Sequence, residues 1–211
     1  IISDDGSISE VNPILFTGYV LMDNVVLDVD AKSSDNSIDI VDNFELNSTL
    51  SLVPETSFSN FNIIGSSVLA GTGTILLNRP DVTAKNQGAR FSVRFEGISD
   101  LAETFTIPSE FEIRGTGRIE TSFGFGENRD KINLLGTLVA DGGLLEIKSL
   151  DPVVGSLRAT SDGLLDFRGD LELTPTSSVH LALGDPDGLI NQPKINVSGS
   201  ALLGGGLVLQ F

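Results

Sequence analysis

The side chains that most often perform catalysis or hold metal ions are scarce in this chain. Its 211 residues include one histidine and one tyrosine, and neither cysteine nor tryptophan. Without cysteine there is no disulfide framework and no cysteine-ligated zinc site, and one histidine cannot build a multi-histidine metal centre. No catalytic motif is recognisable. The sequence therefore predicts a non-enzymatic protein without catalytic residues or a bound cofactor.

Two pairs of aspartates are the candidates for binding a metal ion. Asp185 and Asp187 lie in the stretch Gly-Asp-Pro-Asp-Gly at residues 184–188, which resembles part of a calcium loop but lacks its third Asp and its distal Glu. Asp28 and Asp30 alternate along a predicted strand and so share one face. A connecting turn is the favoured interpretation of the first pair, and a solvated acidic face that of the second. Calcium is the alternative ligand for both.

Two further features could serve recognition or catalysis. Arg168-Gly169-Asp170 is a tripeptide that some host receptors recognise, but recognition needs a projecting loop, and the flanking strands predict a tight corner. His180 alternates with Val179 and Leu181, so we expect it to face solvent. Neither feature indicates a catalytic triad or a receptor site.

The net charge restricts the classes of partner. The chain has 29 acidic and 13 basic residues, a formal charge of −16. Nucleic acids and anionic membranes need clustered Lys and Arg, so the composition argues against both partners. No apolar run approaches the roughly 20 residues of a membrane span, so we expect no membrane insertion.

Short alternating segments dominate the chain and predict an all-β fold. Apolar and polar residues alternate over roughly 4 to 8 positions, and Gly, Asn, Asp, Ser or Pro bound each segment. Clear examples are residues 25–30, 37–40, 45–52, 90–95 and 179–183.

Internal repeats indicate how these strands are arranged. Three segments, residues 62–75, 133–146 and 196–209, align without gaps, each with two glycines six positions apart. Residues 143–147 resemble residues 163–167, and residues 71–75 resemble residues 115–119. Such spacing, near multiples of 20 to 24, predicts stacked coils of three strands with Gly or Asn at the corners. We expect about ten rungs, with an irregular insertion near residues 78–110.

The repeats resemble a known family. Leu-Ala-Gly-Thr-Gly-Thr-Ile at residues 69–75, Gly-Thr-Leu-Val-Ala-Asp-Gly-Gly at 136–143 and Val-Ser-Gly-Ser-Ala at 197–201 look like right-handed parallel β-helix passenger domains. Those domains belong to bacterial autotransporters and filamentous-haemagglutinin-like adhesins. The resemblance implies a secreted module on the bacterial cell surface, used for adhesion or as a stalk, and it transfers no catalytic residues.

These observations together lead to one functional interpretation. Residues 1–211 are expected to form a single β-solenoid domain, a segment of a longer chain, because the sequence begins without Met and ends on a strand pattern. We expect a stalk, an adhesin or a self-associating shaft. Its expected partners are a host or neighbouring-cell surface or a polysaccharide, and its open ends favour end-to-end self-association.

Two alternatives belong to other classes of protein. The first is a β-helix polysaccharide lyase or glycosidase, which needs converging carboxylates such as Asp28 and Asp30 and a basic residue, for which Arg114, Arg118 and Lys148 are the candidates. The second is a carbohydrate-binding β-sandwich, which would present aromatic platforms, although the chain has no tryptophan.

Overall fold

Parallel strands are the regular elements of the described structure, as predicted. The computed structural model describes residues 7–8, 13–65, 67–78, 88–94, 104–122, 131–149, 152–160, 162–182 and 193–210. These residues contain no helix, and their strands pair in parallel, which confirms the predicted all-β parallel β-helix.

Twenty-one strands follow one another along the described chain. They are β1 (Ser7–Ile8), β2 (Ile14–Phe16), β3 (Val20–Met22), β4 (Val25–Leu27), β5 (Ala31–Ser33), β6 (Ser37–Ile40), β7 (Asn43–Leu46), β8 (Thr49–Leu52), β9 (Phe58–Ile64), β10 (Val68–Ala70), β11 (Thr74–Asn78), β12 (Gly88–Arg94), β13 (Thr104–Ile107), β14 (Glu112–Ser122), β15 (Lys131–Lys148), β16 (Val153–Ala159), β17 (Leu164–Phe167), β18 (Leu171–Ala182), β19 (Lys194–Val197), β20 (Ala201–Leu202) and β21 (Gly206–Gln210).

The strands occupy three faces of the coil in turn. Face 1 contains β1, β4, β7, β10 and β13, face 2 contains β2, β5, β8 and β11, and face 3 contains β3, β6, β9 and β12. Later strands bend round corners: β14 covers faces 2 and 3, β15 covers all three, and β16 and β18 each cover faces 1 and 2. β17 and β19 continue face 3, while β20 and β21 continue faces 1 and 2.

The described strands form eight coils of three faces and the first two faces of a ninth, against the expected ten or so. We number the coils 1 to 9 from the N-terminal end. With about 4.8 Å between successive coils, the eight full coils extend over roughly 38 Å.

Apolar side chains stack inside the coils from one coil to the next. One inward column on face 3 contains Ile38, Phe61, Phe91, Ile119, Ile147 and Phe167, all buried and in register. The ring of Phe61 lies 5.5 Å from that of Phe44 and 5.6 Å from that of Phe91. Alternation produces this core, because every second residue of each strand points inward.

The repeats predicted the corners well. The second glycine of each aligned segment, Gly71, Gly142 or Gly205, has a positive φ of 100°, 73° or 84°. A side chain at such a position would be strained, so glycine is favoured there.

The repeated segment is shorter than a whole coil and reaches parts of three successive faces. Residues 62–75 and 196–209 run from face 3 across face 1 to face 2, whereas residues 133–146 start on face 1 and end on face 3.

The two shorter resemblances had different outcomes. Leu144–Ile147 pairs in register with Leu164–Phe167, so these two segments stack on neighbouring coils, as their spacing of 20 predicts. Residues 71–75 and 115–119, whose offset of 44 suggested equivalent positions in the coils, are not equivalent, since Ile75 pairs with Ile113. Their likeness reflects shared corner chemistry.

The region predicted to be irregular contains two regular strands, β12 and β13. Thr74 pairs with Glu112, 38 positions later, whereas Thr49 pairs with Thr74, 25 positions later, so extra chain enters here. Residues 79–87 and 95–103 of this region lie outside the described residues.

One alternative fold is inconsistent with the strand pairing. A carbohydrate-binding β-sandwich needs two packed antiparallel sheets, and the paired strands of this chain are parallel and wound into coils. In the described residues, no helix is long and apolar enough to cross a membrane.

Candidate functional site

Asp28 and Asp30 lie at the corner that follows β4, and both are exposed. Asp28 Oδ1 accepts a hydrogen bond of 2.8 Å from Asn47 Nδ2, and Asp30 Oδ1 accepts one of 3.0 Å from the Thr49 backbone N–H. Both carboxylates therefore connect their own corner to the corner of the next coil.

Calcium binding by these residues stays a prediction. Within the described ranges, no group of three or more His, Cys, Asp or Glu side chains is placed to hold a metal ion. Asp185 and Asp187 fall in residues 183–192, which lie outside the described structure.

Asp35 holds the next coil through several hydrogen bonds, and sequence reasoning missed it. Its carboxylate accepts hydrogen bonds from the Thr56 hydroxyl and from the backbone N–H groups of Glu55, Thr56 and Ser57, at 2.7 to 2.9 Å. The Thr56 hydroxyl, followed by the backbone donors of Thr56 and Ser57, lowers the pKa of Asp35 to about 2. Its position before Asn36, between two strand patterns, was the available signal.

The tripeptide Arg168-Gly169-Asp170 forms the corner between β17 and β18, as predicted. Asp170 Oδ1 accepts a 2.6 Å hydrogen bond from the Ser200 backbone N–H. Arg168 contacts two carboxylates of face 3, at 3.1 Å and 2.9 Å. Both charged side chains are therefore engaged with their own protein.

His180 is exposed on face 2, which confirms the predicted orientation. Its register neighbours on the adjacent coils are Arg158 and Val208. These neighbours do not form an arrangement that could activate a nucleophile.

The three basic residues considered for catalysis separate onto two faces. Arg118 and Lys148 point outward from face 3, where both contact Glu146. Arg114 lies on face 2, where it pairs with Asp141 and contacts Glu112 at 3.4 Å. The hydrogen bond between Arg114 and Asp141 raises the pKa of the arginine and lowers that of the aspartate.

A continuous run of charged side chains lies on the outer surface of face 3, over coils 4 to 7. We call it the charged band, and it contains Arg90, Arg118, Glu120, Glu146, Lys148, Asp166 and Arg168. Strand alternation places these residues outward, while their neighbours Phe91, Ile119, Ile147 and Phe167 fill the core. Parallel register then brings each charged residue beside its counterpart on the next coil.

The first half of the charged band is rich in arginine. Arg90 and Arg118 occupy the same register position on neighbouring coils. Like charges placed opposite each other are unfavourable, and Glu120 offsets this repulsion because it lies 3.6 Å from Arg90 and 3.5 Å from Arg118. The guanidinium of Arg90 also lies 4.5 Å from the ring centre of Phe58.

The second half of the charged band is organised around Glu146. Arg118 Nε donates to it at 2.7 Å, Arg168 Nε donates at 3.1 Å, and Lys148 Nζ lies 3.8 Å away. Burial raises the pKa of Glu146, but the Arg118 hydrogen bond and the charges of Arg118 and Lys148 outweigh it, so the pKa lies below its ordinary value. Glu146 is therefore ionised at neutral pH.

Face 3 continues beyond the charged band with neutral polar groups. Toward the N-terminal end, Asn62 donates to Asp39 at 2.6 Å and Tyr19 donates to the same carboxylate at 2.9 Å. Toward the C-terminal end, Asn196 donates to Asp166 at 2.6 Å. Polar side chains thus cover this face from coil 2 to coil 8.

A shallow groove of about 410 Å³ lies over face 1 of the C-terminal half. Its lining includes Lys131, Asn133, Asp170, Glu172 and Leu202. One cation and two carboxylates among neutral polar and apolar side chains do not define a chemical preference, so the charged band is the stronger candidate site.

Only part of the charged band has a spacing that the sequence could have indicated. Asp166 follows Glu146 after the 20 residues of one predicted coil, whereas Arg90, Arg118 and Glu146 follow one another at intervals of 28 residues, longer than the predicted coil. No protein family, curated protein or solved structure matches the chain.

Proposed function

We propose that this chain is a structural and adhesive module of a secreted bacterial surface protein, acting as a β-helical shaft. The observation that carries the proposal is the continuity of the fold: inward apolar columns run through successive coils, and outward polar side chains bond coil to coil. Each coil buries its apolar face only by stacking on neighbours, which suits an extended support.

The ionisation of three carboxylates favours a scaffold rather than a hydrolase. A general acid at neutral pH needs a raised pKa, whereas the pKa values of Asp35, Asp141 and Glu146 are all lowered. Hydrogen bonds from arginine, or for Asp35 from the Thr56 hydroxyl and then from backbone N–H groups, keep these carboxylates ionised and hold them in place. These carboxylates therefore serve to hold the stacked coils together.

End-to-end self-association belongs to the same proposal. Leu207 and Leu209 continue the inward columns of Val179 and Leu181, yet they are 66% and 46% exposed. A further coil from a second copy would cover these side chains and pair with β21.

Display of the chain on a non-adherent bacterial cell tests the adhesive role. We expect displaying cells to attach to host cells, or to one another, more than cells displaying an unrelated domain of equal size. In parallel, the purified chain is incubated with neutral and anionic polysaccharides, with and without calcium, and release of reducing ends is measured. Sustained turnover would contradict the proposal, as would attachment no better than that of the control cells.

Light scattering over a concentration series tests the end-to-end contact. We expect the mean mass to rise with concentration for the native chain and to rise less for Leu207→Lys, because a charge on the apolar end opposes stacking. A mass independent of concentration in both proteins would dismiss end-to-end association.

A further inference from the structure

We propose that the charged band on face 3 binds a linear acidic polysaccharide that carries carboxylate groups. The inference deepens the adhesive part of the proposed function and rests on it. It names the class of ligand and the surface that would hold it.

The first argument is the unequal exposure of the two kinds of charge. The four cationic side chains of the charged band are 30% to 52% exposed, whereas its three carboxylates are only 6% to 19% exposed. The arginines and the lysine therefore cover the acids, and a ligand approaching this face meets guanidinium and ammonium groups first. The exposed charge of the band is positive although the chain carries −16 overall.

The second argument is the supply of hydrogen-bond donors. A guanidinium has five N–H groups in a planar fork that matches a carboxylate. Arg118 uses Nε on Glu146, and its Nη1 is 3.5 Å from Glu120. Arg90 Nη1 is 3.6 Å from Glu120, which is too long for a hydrogen bond. Both arginines thus retain donors for carboxylates of a ligand.

The third argument is the direction of the charged band. Its cations lie on four successive coils, about 4.8 Å apart, and so extend over roughly 14 Å along the β-helix axis. An extended polymer lying along that axis would meet a cation at every coil. A compact anion would meet only one or two, so the geometry favours a polymer.

The fourth argument is the position of the acidic surplus. Residues 13–65 contain eight Asp and Glu and a single base, Lys32, so most of the negative charge in coils 2 and 3 is unbalanced. Coil 3 is adjacent to coil 4, where the charged band begins, so its acids lie within the screening length of about 8 Å, whereas coils 6 and 7 lie about 14 Å or more from coil 3. The far end of the charged band, at Lys148 and Arg168, is therefore the part least affected by this negative charge.

The remaining groups favour a sugar polymer over a nucleic acid. Asn62 and Asn196 flank the charged band with amides that can bond sugar hydroxyls, and the carboxylates beneath the arginines can also accept hydrogen bonds from hydroxyls. Four cations against three carboxylates are also too few for a nucleic-acid surface, which needs a clear surplus of Lys and Arg.

Calorimetric titration of the full chain with polygalacturonate tests the inference, and fully methyl-esterified polygalacturonate is the uncharged control on the same backbone. We expect the charged polymer to bind, the ester to bind at least about tenfold more weakly, and the affinity to fall as salt rises. Single-stranded DNA and dextran sulfate are titrated under the same conditions and are expected to bind more weakly than polygalacturonate.

The variant Arg90→Gln/Lys148→Gln removes two band cations and retains the Arg118–Glu146 bond. Its control, Lys32→Gln/Arg158→Gln, removes one lysine and one arginine from face 2, so both proteins have the same net charge. We expect the band variant to bind at least about tenfold more weakly, and the control to stay within about twofold of the native chain.

Four results would overturn the inference. They are no binding of polygalacturonate, equally tight binding of its methyl ester, binding of DNA or dextran sulfate as tight as that of polygalacturonate, and equal losses of affinity in the two variants.

Release of reducing ends is recorded in the same samples. Turnover would contradict the non-enzymatic function and leave the binding surface standing. Absence of binding beside intact attachment of displaying cells would remove the inference alone.

Discussion

Arg118 and Glu146 face each other at one register position on neighbouring coils, with Arg118 Nε 2.7 Å from Glu146 Oε2. Arg168, from the coil on the other side, donates to the second oxygen of the same carboxylate at 3.1 Å. Glu146 therefore joins three successive coils through charge-assisted hydrogen bonds, which are the stronger kind.

Replacing this carboxylate should destabilise the fold. Glu146 is 11% exposed, so Glu146→Gln removes a largely buried anion from between Arg118 and Arg168, each of which keeps only one other carboxylate partner in the charged band. We expect a loss of about 1–3 kcal/mol in the free energy of unfolding, measured by urea titration at pH 7. Glu112→Gln, which removes a more accessible, half-buried partner of Arg114, should change stability by less than about 0.5 kcal/mol. Equal effects of the two variants would contradict this role of Glu146.

Asp35 should make stability depend on pH. Its pKa is about 2 in the folded chain against 3.8 ordinarily, so its contribution is complete above pH 3.8 and is lost as pH falls through about 2. We expect Asp35→Asn to melt at a lower temperature than the native chain at pH 7, and this difference to narrow between pH 4 and pH 2. Glu110→Gln, at an exposed turn, is the control. A difference in melting temperature between the native chain and Asp35→Asn that does not change with pH would contradict this role of the Asp35 carboxylate.

The corner at Gly155 should not accept a side chain. A Cβ there would lie 1.8 Å from the carbonyl oxygen of Leu135 on the preceding coil, and backbone cannot move aside easily. We expect Gly155→Ala to lower the free energy of unfolding by about 1–3 kcal/mol or more. Gly206→Ala, where a Cβ meets nothing within 4 Å, should stay within about 0.5 kcal/mol of the native chain. Thermal melting of both variants is the measurement, and it decides whether the close stacking of the coils causes the loss of stability in Gly155→Ala.

The inward column of face 3, which contains Phe61 and Phe91, should be the most sensitive part of the core. Phe61 is fully buried between Phe44 and Phe91, so Phe61→Ala leaves a large cavity. We expect a loss of about 3–5 kcal/mol, measured by urea titration. Leu15→Ala, at a side chain that is 56% exposed, should cost less than about 0.5 kcal/mol. A similar loss from both variants would show that the column is not the main core.

The fold was largely predictable because each strand carries its own signal. Alternation identified strands such as Ser37–Ile40, and the 20-residue spacing of Leu144–Ile147 and Leu164–Phe167 predicted stacking that the register confirms. The pairing of Ile75 with Ile113 was not predicted, because extra chain between coils changes the spacing without changing the strands.

The candidate site was less predictable than the fold. Asp28 and Asp30 stood out as an alternating pair, yet each bonds a corner of the next coil. Arg118 and Lys148 were noticed singly, and their shared partner Glu146 was not. Alternation shows which way a side chain points, but not which residue of another coil it meets.

The sequence alone determined an all-β chain of stacked coils, the glycine corners with positive φ, and a surface short of catalytic side chains. These properties are local, because strand alternation and corner geometry depend on residues close in the chain. Only the tertiary structure decided that Arg90, Arg118 and Glu146, each 28 residues from the next, lie side by side on one face. Parallel stacking converts distance along the chain into contact between coils, and the length of each connection sets the register of that contact.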